Sequence, residues 1–155
     1  MAWPSAEELE DLVARFKAAT LPKVEWTHAA HQAVGAWHVH HLGAADALGA
    51  LRAGIRRLND SHGTANTPTS GYHESITRAY TVLLEGFLDL APGGSLAENV
   101  QRLLASPLAS REILLRFYTK ETLMSALARA QWVEPDRRPL EWPLPDEAEA
   151  GATPA

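Results

Sequence analysis

The stretch "WTHAAHQAVGAWHVHH", residues 26 to 41, holds five of the chain's seven histidines among Ala, Val, Gly and Trp. Its reading sets the fold class. Thr27 stands where an N-cap is wanted, because its side-chain oxygen can accept from an unpaired amide of a first helical turn. Gly43 stands where a helix stops. The spacing predicts one helix over about 28 to 42. With about 100° of rotation per residue, His31 and His38 fall in the middle of an apolar arc with Val34, Gly35 and Leu42. His28 and His41 flank that arc, and His40 points elsewhere.

Imidazoles on a core-facing arc need partners. A neutral ring has one nitrogen that donates and one that accepts. An unpaired buried polar group costs about 1–3 kcal/mol, against a total stability of about 5–15 kcal/mol. A group of such rings therefore implies a wet cavity, a metal or a bound ligand, or else a hydrogen-bonded network inside the core.

Working outward, helices follow one another between caps and breakers. Ser5 and Glu8 have capping-box spacing ahead of the stripe Leu9, Leu12, Val13 and Phe16, and Pro22 closes that segment. A third helix, about 45 to 60, carries Leu48, Leu51, Ile55 and Leu58. "DSHGTANTPTSG" then reads as a long polar loop. A fourth helix is expected from Tyr72 to about Leu90, with Ser70 able to cap it. Ser95 and Glu98 form a second capping box, Ser106 precedes Pro107 at a first helical position, and Thr119 caps a last helix, "KETLMSALARAQW". No repeat and no alternating strand pattern occurs. The expected fold is all-α, a bundle of about six or seven helices in a single domain over 1–141. An extended, proline-containing acidic tail over 142–155 is expected to be flexible.

Composition narrows the function classes. The chain has 155 residues, no cysteine and a net charge of −5. Thiolate catalysis, disulfides and iron–sulfur clusters are excluded by the missing cysteines, and no basic field favours nucleic acid. "MAWPSAEELEDL" has no apolar core of a secretory signal, and no apolar run approaches the ~20 residues of a membrane span. A cytoplasmic protein is expected, with no nucleic-acid or membrane partner. Neither a Gly-x-Ser-x-Gly elbow nor a phosphate-binding glycine loop is present.

A second constellation, "SGYHESIT" at residues 70 to 77, places His73 and Thr77 four residues apart on one helix face, with Tyr80 continuing it. Glu74 can pair with Arg78 at i+4, supply a carboxylate to a metal, or orient an imidazole. The pairs His28/His31 and His38/His41 lie three apart, but two ligands do not complete a metal site. A third must come from elsewhere, and His73 is the candidate.

"WTHAAHQA", "RRLNDSHG", "GYHESIT" and "ALARAQWVEPDRRPL" resemble successive blocks of a family of small bacterial helical proteins, over roughly residues 20 to 141. The resemblance implies a shared all-α fold and a shared site at His28, His31, His73 and Thr77, together with the "ARAQWVEPD" stretch. It implies no particular chemistry. Ser75 departs from the family pattern, which has Thr there, and His38, His40 and His41 are additional.

On the third helix Arg52, Arg56 and Asn59 share a narrow arc beside Leu48 and Ile55. They can clamp the carboxylate or phosphate of a small ligand, or the arginines can form interhelical salt bridges to Glu74 or Asp46.

Three functional readings result. One is a metal-dependent or acid–base enzyme acting on a small anionic molecule. Its catalytic residues would be His31, His73 and Thr77, its substrate contacts Arg52, Arg56, Asn59 and Tyr80. A divalent ion such as Zn, Fe or Mn would be held by His28, His31, His73 and Glu74. The second is a non-catalytic module that binds a small molecule or a protein, with the histidines as a polar lining. The third is a purely structural imidazole network that fixes helix register.

Overall fold

The helix that carries the histidines is the middle of the molecule. In the computed structural model, which describes residues 2 to 144, the elements are α1 (Ala6–Lys17), α2 (His28–Leu42), α3 (Ala44–Ser61), α4 (Glu74–Asp89), α5 (Leu96–Leu104), α6 (Lys120–Leu123) and α7 (Ala126–Ala130). Single 3-10 turns lie at Lys23–Glu25, Pro107–Ala109 and Ile113–Arg116. Among the described residues there is no strand, and one isolated bridge pairs Thr67 with Ser70. The architecture is all-α.

α2 packs against α1, α3, α4 and α5. Its small residues allow this: Ala30, Ala33, Val34 and Ala36 are all at most 1% exposed, and a helix that is apolar on nearly every side is a buried one. The expected caps form. Thr27 Oγ1 accepts from the Ala30 amide, and the boxes Ser5/Glu8 and Ser95/Glu98 are both complete. Close packing also fixes a glycine. A Cβ at Gly54 would stand 2.5 Å from the Phe16 ring, which is itself fully buried.

Four expectations need correction. α4 begins at Glu74 rather than Tyr72, and its cap is His73 rather than Ser70: His73 Nδ1 accepts from the Ile76 amide at 3.1 Å. Ser70 Oγ instead donates to Ala65 O within the loop. The last helix is two, because Ser125 interrupts it. Its hydroxyl donates to Thr122 O and accepts from the Ala128 amide, ending α6 and capping α7. The proline at 107 opens only a 3-10 turn. Packed chain also extends past 141, since Trp142 lies on the core and Leu144 is 0% exposed. The rest of the expected tail, 145–155, lies outside the described residues.

The segment after α7 is a strap across α4. Ser75 Oγ donates to Gln131 O and accepts from the Val133 amide, and Tyr118 Oη donates to Val133 O. Asp136 accepts from the Thr119 amide and from the Thr119 and Thr122 hydroxyls, each at 2.7 Å. Those hydrogen bonds hold its carboxyl down to about 2. Arg78 lies over the Trp132 ring at 4.3 Å. The "ARAQWVEPD" stretch is thus largely a fastening. Arg129 Nη1 donates to Gly71 O at 2.8 Å, tying α7 to the start of α4.

The polar loop before α4 is also pinned. Asn66 Oδ1 accepts from Asn59 Nδ2 and from the Tyr72 amide. Gly71 has φ +82°, and a Cβ there would come within 2.6 Å of Ala65 O and Asn66 Oδ1.

Candidate functional site

Between α2, α3 and α4 lies a cavity of about 130 Å³. Leu51 and Ile55 come from α3, Ile76, Thr77, Tyr80 and Leu84 from α4, and His28, His31, Gln32 and Gly35 from α2, with Trp26 at one end. Two outer grooves adjoin it. One shares Trp26, His31, Ile55, Ile76 and Thr77 with the cavity and adds Asn59, Tyr72, His73 and Arg129. The other shares His28, Ile76 and Tyr80 and adds Arg111, Lys120 and Met124, among others. The early histidine helix and the later Tyr-His turn therefore do line one hollow, in the first of these grooves.

Hydrogen bonds decide the tautomers. His31 Nδ1 lies 2.8 Å from Thr27 O. A carbonyl can only accept, so Nδ1 carries the proton and Nε2 is left as a bare lone pair, with no partner among the described residues. His31 is exposed to solvent, and its ring lines both the cavity and the groove that opens beside Trp26. Burial pushes it down to about 4, opposed by the Thr27 bond, so it is neutral at pH 7. Trp26 covers one face of the ring with centroids 3.7 Å apart.

His28 Nε2 donates to Ala109 O at 3.0 Å, and burial lowers its pKa. Gln32, 3% exposed, donates from Nε2 to Leu108 O at 3.1 Å. That carbonyl fixes the amide's orientation and leaves Oε1 as a buried oxygen without a hydrogen-bond partner among the described residues. Tyr80 is raised to about 12 by burial, with the Gln32 amide and Arg111 opposing the rise, so its hydroxyl keeps its proton. Thr77 Oγ1 donates to His73 O at 2.8 Å and so turns lone pairs outward.

The other expected site residues have different employment. His73 Nε2 donates to Leu123 O at 2.7 Å while Nδ1 caps α4, so neither nitrogen is free to bind a metal or carry a proton. Glu74 is held by Arg52 through two bonds, Nε to Oε1 at 2.8 Å and Nη2 to Oε2 at 2.7 Å, and by the Tyr72 hydroxyl at 2.8 Å. The Arg52 bonds, assisted by Tyr72, lower its carboxyl below the usual range. Glu74 therefore pairs with Arg52, not Arg78. Arg52 is a salt-bridge residue rather than a substrate clamp, Arg56 lies over the Tyr72 ring at 5.0 Å, and Asn59 holds Asn66. Among the described residues no three His, Asp or Glu side chains are grouped to hold a metal, so His28, His31, His73 and Glu74 do not assemble the expected ion site.

The remaining α2 histidines divide by position. His38 is buried, donates from Nδ1 to Val34 O at 2.8 Å, and meets Phe16 and Trp37 edge-on. His40 and His41 are exposed. Gln32, Arg111 and Lys120 were not apparent as site residues in the sequence. Gln32 looks like any polar residue one turn from His28, Arg111 lies in a segment without helical periodicity, and Lys120 opens the expected last helix as an ordinary surface charge.

What fold and site define is a seven-helix bundle, counted among the described residues, with a small, largely apolar cavity lined by one buried acceptor without a partner among them, Gln32 Oε1. No family model, curated protein or solved structure matches the chain. No described helix is long and apolar enough to cross a membrane.

Proposed function

We propose that the protein is a binding module for a small molecule that places a compact, uncharged, hydrogen-bond-donating group in the cavity. The observation that carries this is Gln32 Oε1, a buried acceptor without a partner among the described residues, on the lining of a mostly apolar cavity. His31 Nε2, on the same lining but open to solvent, is a second acceptor that a ligand can use. A buried acceptor without a partner costs about 1–3 kcal/mol, and an N–H or O–H from a ligand recovers that cost. A hollow near 130 Å³ is close to the size that accommodates a single benzene ring. Nothing cationic lines it, so the buried end of the ligand is uncharged.

Binding is favoured over acid–base turnover by the same ring. A base works best when its pKa is near the working pH, and His31 at about 4 takes up a proton only weakly at neutrality. The metal-dependent reading lacks its third donor, because both His73 nitrogens are spent on backbone groups.

The test is titration followed by amide NMR with p-cresol and with toluene, which has a similar shape without the donor. p-Cresol is expected to bind more tightly and to shift signals of α2 and α4, and Ile55→Phe, which fills the cavity, is expected to abolish this. Equal binding of the two compounds, or no binding of either, overturns the reading.

A further inference from the structure

The groove next to the cavity carries two cations whose side chains have no ion-pair partner among the described residues. Arg111 and Lys120 line it together with Leu115, Leu123 and Met124. Neither side chain makes an ion pair or hydrogen bond among the described residues. The glutamates beside them in sequence, Glu112 and Glu121, do not line the groove. Met124 is 52% exposed, an apolar side chain presented to solvent beside two positive charges. The Arg111 guanidinium is near enough to influence His28, His31 and Tyr80, so its field reaches the cavity.

Cavity and groove share three lining residues, His28, Ile76 and Tyr80. The His28 and Tyr80 rings meet edge-on with centroids 6.2 Å apart. A molecule that occupies both spaces would pass these three residues, with its outer end beside Arg111 and Lys120.

The geometry points to an amphipathic anion as the ligand class: a compact ring bearing O–H or N–H in the cavity, joined by a short arm to a carboxylate held by Arg111 and Lys120. This rests on the cavity reading above and adds a second contact point to it. It also returns an anionic ligand to the protein with a different clamp from Arg52 and Arg56. Arginine grips a carboxylate through paired N–H groups, while lysine adds a point charge.

The experiment compares three probes by calorimetry: p-cresol, 4-hydroxyphenylacetate and the one-carbon-longer 4-hydroxyphenylpropanoate. At least one of the two acids is expected to bind about tenfold more tightly than p-cresol, and that advantage should shrink as salt is raised. In the double variant Arg111→Gln/Lys120→Gln the advantage is expected to vanish while the Kd of p-cresol stays unchanged. Both positions are exposed, and a thermal melt confirms that the variant folds. If p-cresol binds but neither acid gains, or the gain survives in the variant, this inference alone is overturned. If p-cresol does not bind, the cavity reading falls and the two-part ligand falls with it.

Discussion

His31 lies almost flat against Trp26, with planes 27° apart and centroids separated by 3.7 Å. This contact, with the Nδ1–H bond to Thr27 O at 2.8 Å, leaves the ring one free atom, Nε2. The tripeptide Trp26-Thr27-His28 begins α2 and, with His31 one turn on, builds a cavity wall from local chain geometry. Trp26 is then more than packing, since it fixes the plane of the ring that offers the acceptor.

Acid should weaken the fold earlier than carboxylate titration alone accounts for. Burial depresses His28, His31, His38 and His73 below their ordinary 6.5, His31 to about 4. The folded protein thus binds fewer protons there than the unfolded chain does. Stability from this source is complete above about pH 6.5 and is lost as pH falls toward 4. Urea midpoints at pH 7.5, 6 and 5 should fall steadily, and His38→Gln should flatten the decline. A level profile down to pH 5 would contradict it.

Arg52 acts on stability, not on ligand affinity. Its side chain is 37% exposed and that of Glu74 14% exposed, so removing the arginine leaves a largely buried carboxylate short of two charge-assisted bonds. Arg52→Ala should cost about 1–3 kcal/mol in denaturant unfolding, with p-cresol affinity intact. An Arg52→Ala/Glu74→Ala cycle should show coupling between them, and additivity would refute the pairing.

Two glycines of the polar loop separate strain from crowding. Gly63 and Gly71 both have positive φ, +72° and +82°, but a Cβ meets nothing within 4 Å at Gly63 and stands 2.6 Å from Ala65 O at Gly71. Gly63→Ala should cost about 1–3 kcal/mol for the backbone conformation, and Gly71→Ala clearly more. Equal losses in a thermal or urea melt would mean that the loop yields.

Asp136 should secure the strap. Asp136→Ala removes the acceptor for the Thr119 amide and two threonine hydroxyls. Its Tm at pH 7 should fall, and limited proteolysis should begin within 134–144 before cutting elsewhere. An unchanged cleavage pattern would show that Tyr118 and Ser75 hold the segment unaided.

Much of this was legible in the chain. Thr27, Ser5/Glu8 and Ser95/Glu98 announced their helix starts because short polar side chains before apolar periodicity have a local hydrogen-bonding purpose. The angular position of His38 survived because α2 is regular, whereas His31, expected in the middle of the same core-facing arc, is exposed near the start of the helix. The cap at His73 was hidden, since imidazole is not among the usual capping groups and Ser70 offered a more familiar one. So was the spending of both His73 nitrogens, because Leu123 O is fifty residues away. Arg111 lies in the turn between two 3-10 segments and Lys120 opens the one-turn α6, too short for periodicity to tell which side faces inward. The Arg52–Glu74 pairing was one of several open alternatives, and only the three-dimensional approach of α3 to α4 chose among them.

Leu144 is completely enclosed, and Trp142 stands so close to Gly86 that a Cβ there would be 3.3 Å from it. The bundle is therefore sealed by residues synthesised after all its helices. While the ribosome still lacks them, α4 can pair with α2 and α3, but the seam over Phe87 and Gly86 stays bare. Until Trp142 and Leu144 arrive, that seam is apolar surface left to water.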